Sequence, residues 1–566
     1  MAFPELVMSP KTFSRLLAAV MLSALSGFSA RAAQELPARQ VIQAMAKQEQ
    51  NLLHSLLRFH PLVETYVQTM RPTRRLGMVP TGDHYYLGAL ELEPGLLEEQ
   101  SYLHHGGCGS SPLKALHCLY SMHYKSSGFL AMLFPDPGRF NAANYHFRYV
   151  RQDFLGNVRC FVFNVRPRMR LHDGFKGRIW IEARHDHLVR FNGIFTPQPF
   201  FGRYFHFDSW RVNVRPGLWV PAFVYSEETK IRNTSWFGLA GHTAFRAVTR
   251  LWGYGLGKLQ RQSTASQMII EGGVRDRARG QQAYSPIQAQ RIWQREAENN
   301  VLRKLQKAGM LAPPGPVDTL LATVVNNIEV TNNLDIEPAV RCRVLLTTPM
   351  VSFTVGHTIV LSRGMIDVLP NEPSLAMVLA HELATIVAGS PLNTKYAFFD
   401  RMLIPNSKVF ARFRLRQDPR DRRAVAAETL KLLENSPYKN QLGQAGLFLR
   451  MMRLRAKHLK HLMAPGFFGD ALRHPSRQAG LEPLLRMAPP LQLTSLTQIA
   501  ALSLGSRVLV NPWNDAATLF QAPPVTLLDA REKMPFELTP QRPYLRRAHA
   551  QPQLAAAKTR AARVTP

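Results

Sequence analysis

The residues best suited to chemistry stand together at His381-Glu382-Leu383-Ala384-Thr385. Up to its last place this run matches the H-E-x-x-H helix, in which histidines at i and i+4 hold zinc from one face and the glutamate activates water. The last place is threonine, and a neutral hydroxyl is a poor zinc ligand. A catalytic zinc takes three protein ligands and keeps one position open, so His381 alone is too little. A working site would have to recruit other donors, and His357, His458 and His461 are the histidines within reach in sequence. With them, Glu382 is the general base and His381 a ligand of an active zinc endopeptidase. Without them, Glu382 is a helix carboxylate satisfied by a neighbouring donor and His381 a packed core histidine.

The run sits on an apolar helix expected from Glu372 to Ala388. Before it come a helix with a stripe at Leu320, Val324, Val325 and Ile328, a strand at Arg341–Leu346, and a strand at Thr358-Ile359-Val360-Leu361-Ser362. After it, Arg420 to Leu433 is helical, and Gly446 to Met463 reads as a basic amphipathic helix suited to packing or to an anionic lipid surface. A further helix opens at Ser285-Pro286, with serine as cap and proline in the first turn, and stops at Gly309.

From Pro316 to Tyr438 the chain resembles the HtpX- and BepA-like zinc metallopeptidases, relatives of the CAAX prenyl proteases. The residues that carry the resemblance are Thr354-Val355-Gly356-His357-Thr358-Ile359-Val360-Leu361-Ser362-Arg363-Gly364 and the helix from Asn371 through His381-Glu382-Leu383-Ala384. The resemblance implies a mainly helical zincin-like domain with a small edge sheet, His381 as first zinc ligand and Glu382 as base. It also implies that the second ligand has been lost at Thr385 and the third at Ala424, with Glu428 about one helical turn further on. Two missing ligands imply a pseudo-peptidase with no tightly bound metal, acting by binding polypeptide, which would add as a strand along Thr358–Ser362.

The first half has a different rhythm. Gln34 to about Tyr66 reads as mostly helical, broken at Pro61. Alternating runs at Cys160–Val165, Gly177–Glu182, Leu188–Gly193 and Trp219–Tyr225, separated by turn residues, predict an antiparallel meander with one buried and one wet face. This succession resembles the helix-plugged sheet of LolA-type lipoprotein carriers, and a lipid or lipoprotein carrier is the further alternative it implies.

The fold class expected is therefore α+β: a leader at 1–32, a helix-plus-sheet domain at 33–257, a linker at 258–284, the metallopeptidase-like domain at 285–510, and a basic, proline-containing tail at 511–566, which after about Ala530 reads as a disordered or extended, surface-binding arm. Lys11 and Arg15, the apolar run Leu16–Leu25 and the small residues before Ala32 have the order of a secretory signal, which predicts an exported, periplasmic or envelope-associated protein. Among the 566 residues, 46% are apolar, enough to fill real cores and to exclude a wholly disordered chain. Lys and Arg total 70 against 39 Asp and Glu, a net charge of +31. Charged residues are only 19% of the chain, so the excess reflects scarce acids, and no recognition motif is present. The partners expected are a polypeptide or envelope protein and an anionic lipid surface, with no nucleic acid. Cys108, Cys118, Cys160 and Cys342 form no C-x-x-C pair, which excludes a zinc ribbon or thioredoxin-type site and leaves Cys108 and Cys118 as either a structural staple or two free thiols.

Overall fold

The computed structural model describes residues 38–73, 77–93, 96–101, 127–168, 174–196, 204–230, 244–255, 286–389, 421–463, 481–492, 504, 507–520 and 535–548. The leader, the linker, and Cys108 and Cys118 lie outside them. The fold is mixed α and β.

Helix α1 spans residues 38–56 and places Ile42, Met45, Leu52 and Leu56 on one buried stripe. The predicted helix is shorter than expected. Its last few residues open strand β1 (Leu62–Thr73), because beyond Pro61 the pattern changes to alternation: Val63 and Val67 face α1, while Leu62 and Tyr66 face the other way. The chain continues through β2 (Gly77–Glu93), β3 (Leu96–Ser101), β4 (Tyr145–Leu155), β5 (Val158–Pro167), β6 (Gly174–Glu182), β7 (Leu188–Thr196), β8 (Tyr204–Arg215), β9 (Leu218–Lys230) and β10 (Ala244–Trp252). These make one ten-stranded sheet in the order β3-β2-β1-β10-β9-β8-β7-β6-β5-β4, with every recorded pairing antiparallel. The meander expected between about Asn144 and Glu228 is β4 to β9, and β1 to β3 and β10 join the same sheet.

The α1 side of the sheet is a closed aromatic core. Phe163, Phe175, Phe191 and Phe207 are fully buried there, and edge-to-face ring contacts run from Phe175 to Phe191 and from Phe191 to Phe207. Arg211 and Glu49, both buried, pin α1 to β8 through a two-pronged ion pair, one arm at 2.7 Å.

The other side is not simply wet. Over β1, β2, β9 and β10 it is covered by the second half of the chain: α2 (Pro286–Lys307), α3 (Pro316–Thr331), β11 (Arg341–Leu345), β12 (Ser352–Val355), β13 (Thr358–Ser362), α4 (Arg363–Val368), α5 (Glu372–Val387), α6 (Asp421–Glu434), α7 (Leu442–Arg455), α8 (Glu482–Met487) and the pair β14 (Val508–Val510) and β15 (Ala517–Leu519). One hydrophobic core runs from Tyr66 and Trp252 of the sheet into Val301, Leu361 and Leu379. At its seam the buried Glu64 of β1 accepts hydrogen bonds from Arg363 Nη2 and Thr348 Oγ1, each at 2.8 Å, and from Tyr85 OH at 3.0 Å. Gly364 is required at this seam, since a Cβ there would stand 1.7 Å from the Thr348 carbonyl oxygen.

Two further expectations are corrected. Thr358–Ser362 is not an edge: the small sheet runs β11-β13-β12, so β13 is paired on both sides and every one of its residues is buried. No backbone donors or acceptors remain along it for an added polypeptide strand. The tail, expected as a free arm, is ordered over residues 535–548. Phe536, Glu537, Leu538 and Leu545 are buried, Gln68 accepts from Leu538 N and donates to the Phe536 carbonyl, and Arg547 pairs with the buried Glu182. Apolar residues spaced among the prolines strap this segment to the sheet.

Candidate functional site

Helix α5 carries the H-E-L-A-T run. Asn371 caps it by accepting from Ser374 N at 3.1 Å, and every residue from Pro373 to Thr385 is buried. A helix apolar on all faces is a core helix. It packs against α3, α6, α7 and β12.

His381 is buried, and burial pushes its ring down to about 3, so the imidazole is neutral at any ordinary pH. Glu382 is buried too, and desolvation raises its carboxyl to about 7, opposed by a hydrogen bond from Ser352 Oγ at 2.6 Å. The Thr385 hydroxyl donates to the His381 carbonyl of its own helix at 2.9 Å. Ala424 faces solvent on α6, whose inward positions are Val425, Ala426 and Thr429.

The other histidines are held away. His357 lies against the buried Glu298, which accepts from the His357 backbone N–H at 2.7 Å and stands 3.0 Å from its ring nitrogen. His461 rests on Asp83 at 3.2 Å, and His458 is exposed. Glu428 pairs with Lys431 at the surface, 3.2 Å away. Among the described residues no three His, Cys, Asp or Glu side chains converge on a point where a metal could sit. Among the described residues, His381 thus lacks the two further ligands that a catalytic zinc of the metallopeptidase kind needs. Cys160 and Cys342 are buried, with thiols pushed up to about 12 by burial, which removes them as nucleophiles.

A second place was not found by sequence reasoning. On the face of the large sheet opposite α1, the strands from β4 to β8 extend beyond the second half of the chain and leave an open groove of about 1450 Å³, walled on one side by Pro540–Tyr544 of the strap. Its lining holds seven lysine and arginine side chains against three carboxylates. At its centre the Arg190 guanidinium lies between the rings of Trp180 and Trp210, 4.2 and 4.3 Å from their centroids, and is gripped by both oxygens of Asp208 at 2.7 and 2.8 Å. Asp153 accepts from Trp180 Nε1 at 3.2 Å and from Arg151 at 2.9 Å, and these hydrogen bonds hold its carboxyl below the ordinary value against a desolvation that would raise it. His146 at the rim is held below its ordinary value by desolvation and by Arg168 and Arg166 nearby. The sequence trace of this floor is period-two alternation of polar and aromatic residues, as in His146-Phe147-Arg148, Arg190-Phe191-Asn192 and His206-Phe207-Asp208.

No family model matches the chain, and no curated protein matches it. Among solved structures it is similar, over the N-terminal part, to a LolA superfamily protein from Nitrosomonas europaea, at 11% identity and a TM-score of 0.18, covering 38% of this chain and 90% of that one. The MucA/MucB complex of Pseudomonas aeruginosa gives 10% identity and a TM-score of 0.14, covering 38% and 94%. A structure of MucB with MucA(peri) gives 9% and 0.12, covering 38% and 93%. Likeness at this level carries no argument about activity. No helix among the described residues is long and apolar enough to cross a membrane.

Proposed function

We propose that this chain is a non-hydrolytic binding protein, a carrier or assembly factor of an exported compartment, that takes its ligand on the large sheet. One contrast carries this reading. The place where a metallopeptidase would do its chemistry is core: His381, Glu382 and Thr385 are buried and Thr385 spends its hydroxyl on its own helix. The place that is open, concave and lined by fixed polar groups is the groove over β4 to β8. The metallopeptidase-like half then serves as a support that covers half the sheet and leaves the other half free.

Replacing Asn164 and Asn192, which line the groove floor, by tryptophan fills the groove without touching α5. Native mass spectrometry of purified protein is expected to show retained ligand mass on the wild type and on Glu382→Gln, and none on the filled variant. Cleavage of an unfolded casein substrate that is abolished by Glu382→Gln would overturn the proposal.

A further inference from the structure

We infer that the groove binds a linear polyanion laid across the strands, its repeated phosphate groups taken by arginines and lysine of β4, β5 and β6. This rests on the reading of the chain as a binding protein and adds the class of ligand.

Charge gives the sign. The three carboxylates of the lining are all engaged: Asp208 with Arg190, Asp153 with Arg151 and Trp180, and Glu227 with Tyr225 OH at 3.0 Å and Arg246 at 4.0 Å. Arg148, Arg166 and Lys176 have no carboxylate partner among the described residues, and all three are exposed to the groove. Cations fixed near one another without counter-charges repel, and an arriving anion relieves that repulsion.

Register gives the shape. Arg148 pairs across to Asn164, Asn164 to Arg178, and Arg178 to Asn192, which sets a line of side-chain donors perpendicular to the strands. Beside it His146 stands opposite Arg166. Neighbouring strands lie about 4.8 Å apart, so cationic groups recur at one- or two-strand intervals, about 5 to 10 Å, along the groove. A ladder of this kind suits a ligand whose charges repeat along a line. Arg178 also donates to Asn164 at 3.3 Å and His206 meets Asn192 at 2.9 Å, while the Trp180–Arg190–Trp210 stack stiffens the floor, so little ordering remains to be done on binding. A lipid would need an apolar chamber for its chains, and the described apolar side of this sheet is filled by packed phenylalanines. The phosphate source is therefore a polymer.

The test is fluorescence anisotropy of the full chain with end-labelled inorganic polyphosphate, competed by orthophosphate and by vesicles of phosphatidylglycerol or phosphatidylcholine. The variant Arg148→Glu/Arg166→Glu/Lys176→Glu is set against Lys439→Glu/Arg453→Glu/Lys457→Glu, a control with the same charge change at exposed positions of the helical half. Wild-type binding is expected to weaken with salt, the groove variant to lose affinity about tenfold or more, and the control to stay within about twofold. Circular dichroism melting of each variant reports whether the fold is kept. Equal loss in both variants, absence of polyphosphate binding by the wild type, or phosphatidylglycerol vesicles that polyphosphate cannot displace would each overturn the inference. An uncharged ligand recovered from the groove would overturn it while leaving the binding-protein reading in place.

Discussion

Glu382 shows how far a single residue can be read. Its type and its place after His381 are plain in sequence; its state is not, because that depends on Ser352 and on the desolvation supplied by helices far along the chain. The carboxyl releases its proton near 4.5 when unfolded and near 7 when folded, so the folded chain holds the extra proton between these values. Stability at this residue is therefore lost as pH rises through that window, by up to about 3 kcal/mol. Glu382→Gln keeps an acceptor for Ser352 and removes the titration. The melting temperature of the variant minus that of the wild type is expected to grow from pH 5 to pH 8; a constant difference would contradict the burial assigned to this group. The threonine defect at 385 was legible by itself, whereas the facing of α6 was not. Because Ala424 faces solvent, Thr385→His with Ala424→Glu is expected to bind no zinc by equilibrium dialysis, and stoichiometric uptake would show that α6 presents another face.

At the scale of elements, helices with strong punctuation were legible. Pro286 with Gly309 bounds α2, and Asn371 opens α5, where the structure has them. Strands were legible as strands but not in their neighbours. The run Thr358–Ser362 looks alike as an edge or as a centre, and only the parallel partner β11 on its far side decides. The tail failed for a related reason: proline and basic content mask a few apolar anchors, Phe536, Leu538 and Leu545, and the segment they hold meets Gln68 and Gly156, hundreds of residues away. The strap depends on Gly156, which has φ +66° and whose missing Cβ leaves room for the Leu545 carbonyl, 2.4 Å from where that atom would be. Gly156→Ala is expected to lift residues 544–548 off the sheet and cost about 1 to 3 kcal/mol in urea unfolding. Limited proteolysis should then cut the strap first; an unchanged digestion pattern would show that the strap is not held there.

The whole molecule is organised by the seam between sheet and helices, and this seam was invisible in sequence because its charges are lone residues in otherwise apolar strands and at the start of helix α4. Glu64 and Arg363 are each at most 2% exposed, and Arg250 beside them is lowered to about 9 by burial and by repulsion from Arg363. Arg363→Met leaves Glu64 buried without its charge partner and is expected to cost about 3 to 5 kcal/mol, whereas Glu64→Gln/Arg363→Met together should cost far less. Equal losses in single and double variants would show that the pair is not coupled. The net charge of +31 has a place at this scale, since part of it is concentrated in one groove on the same face of the sheet, beside the seam. One contrast separates hydrolysis from binding in this chain, a closed core where hydrolysis would occur and an open surface where binding would. It is tested most directly by the zinc content of full-length protein, measured by mass spectrometry after dialysis against excess zinc and washing, beside a His381→Ala control. Far less than one zinc per chain, equal in both proteins, is predicted; one zinc per chain that the control loses would contradict it.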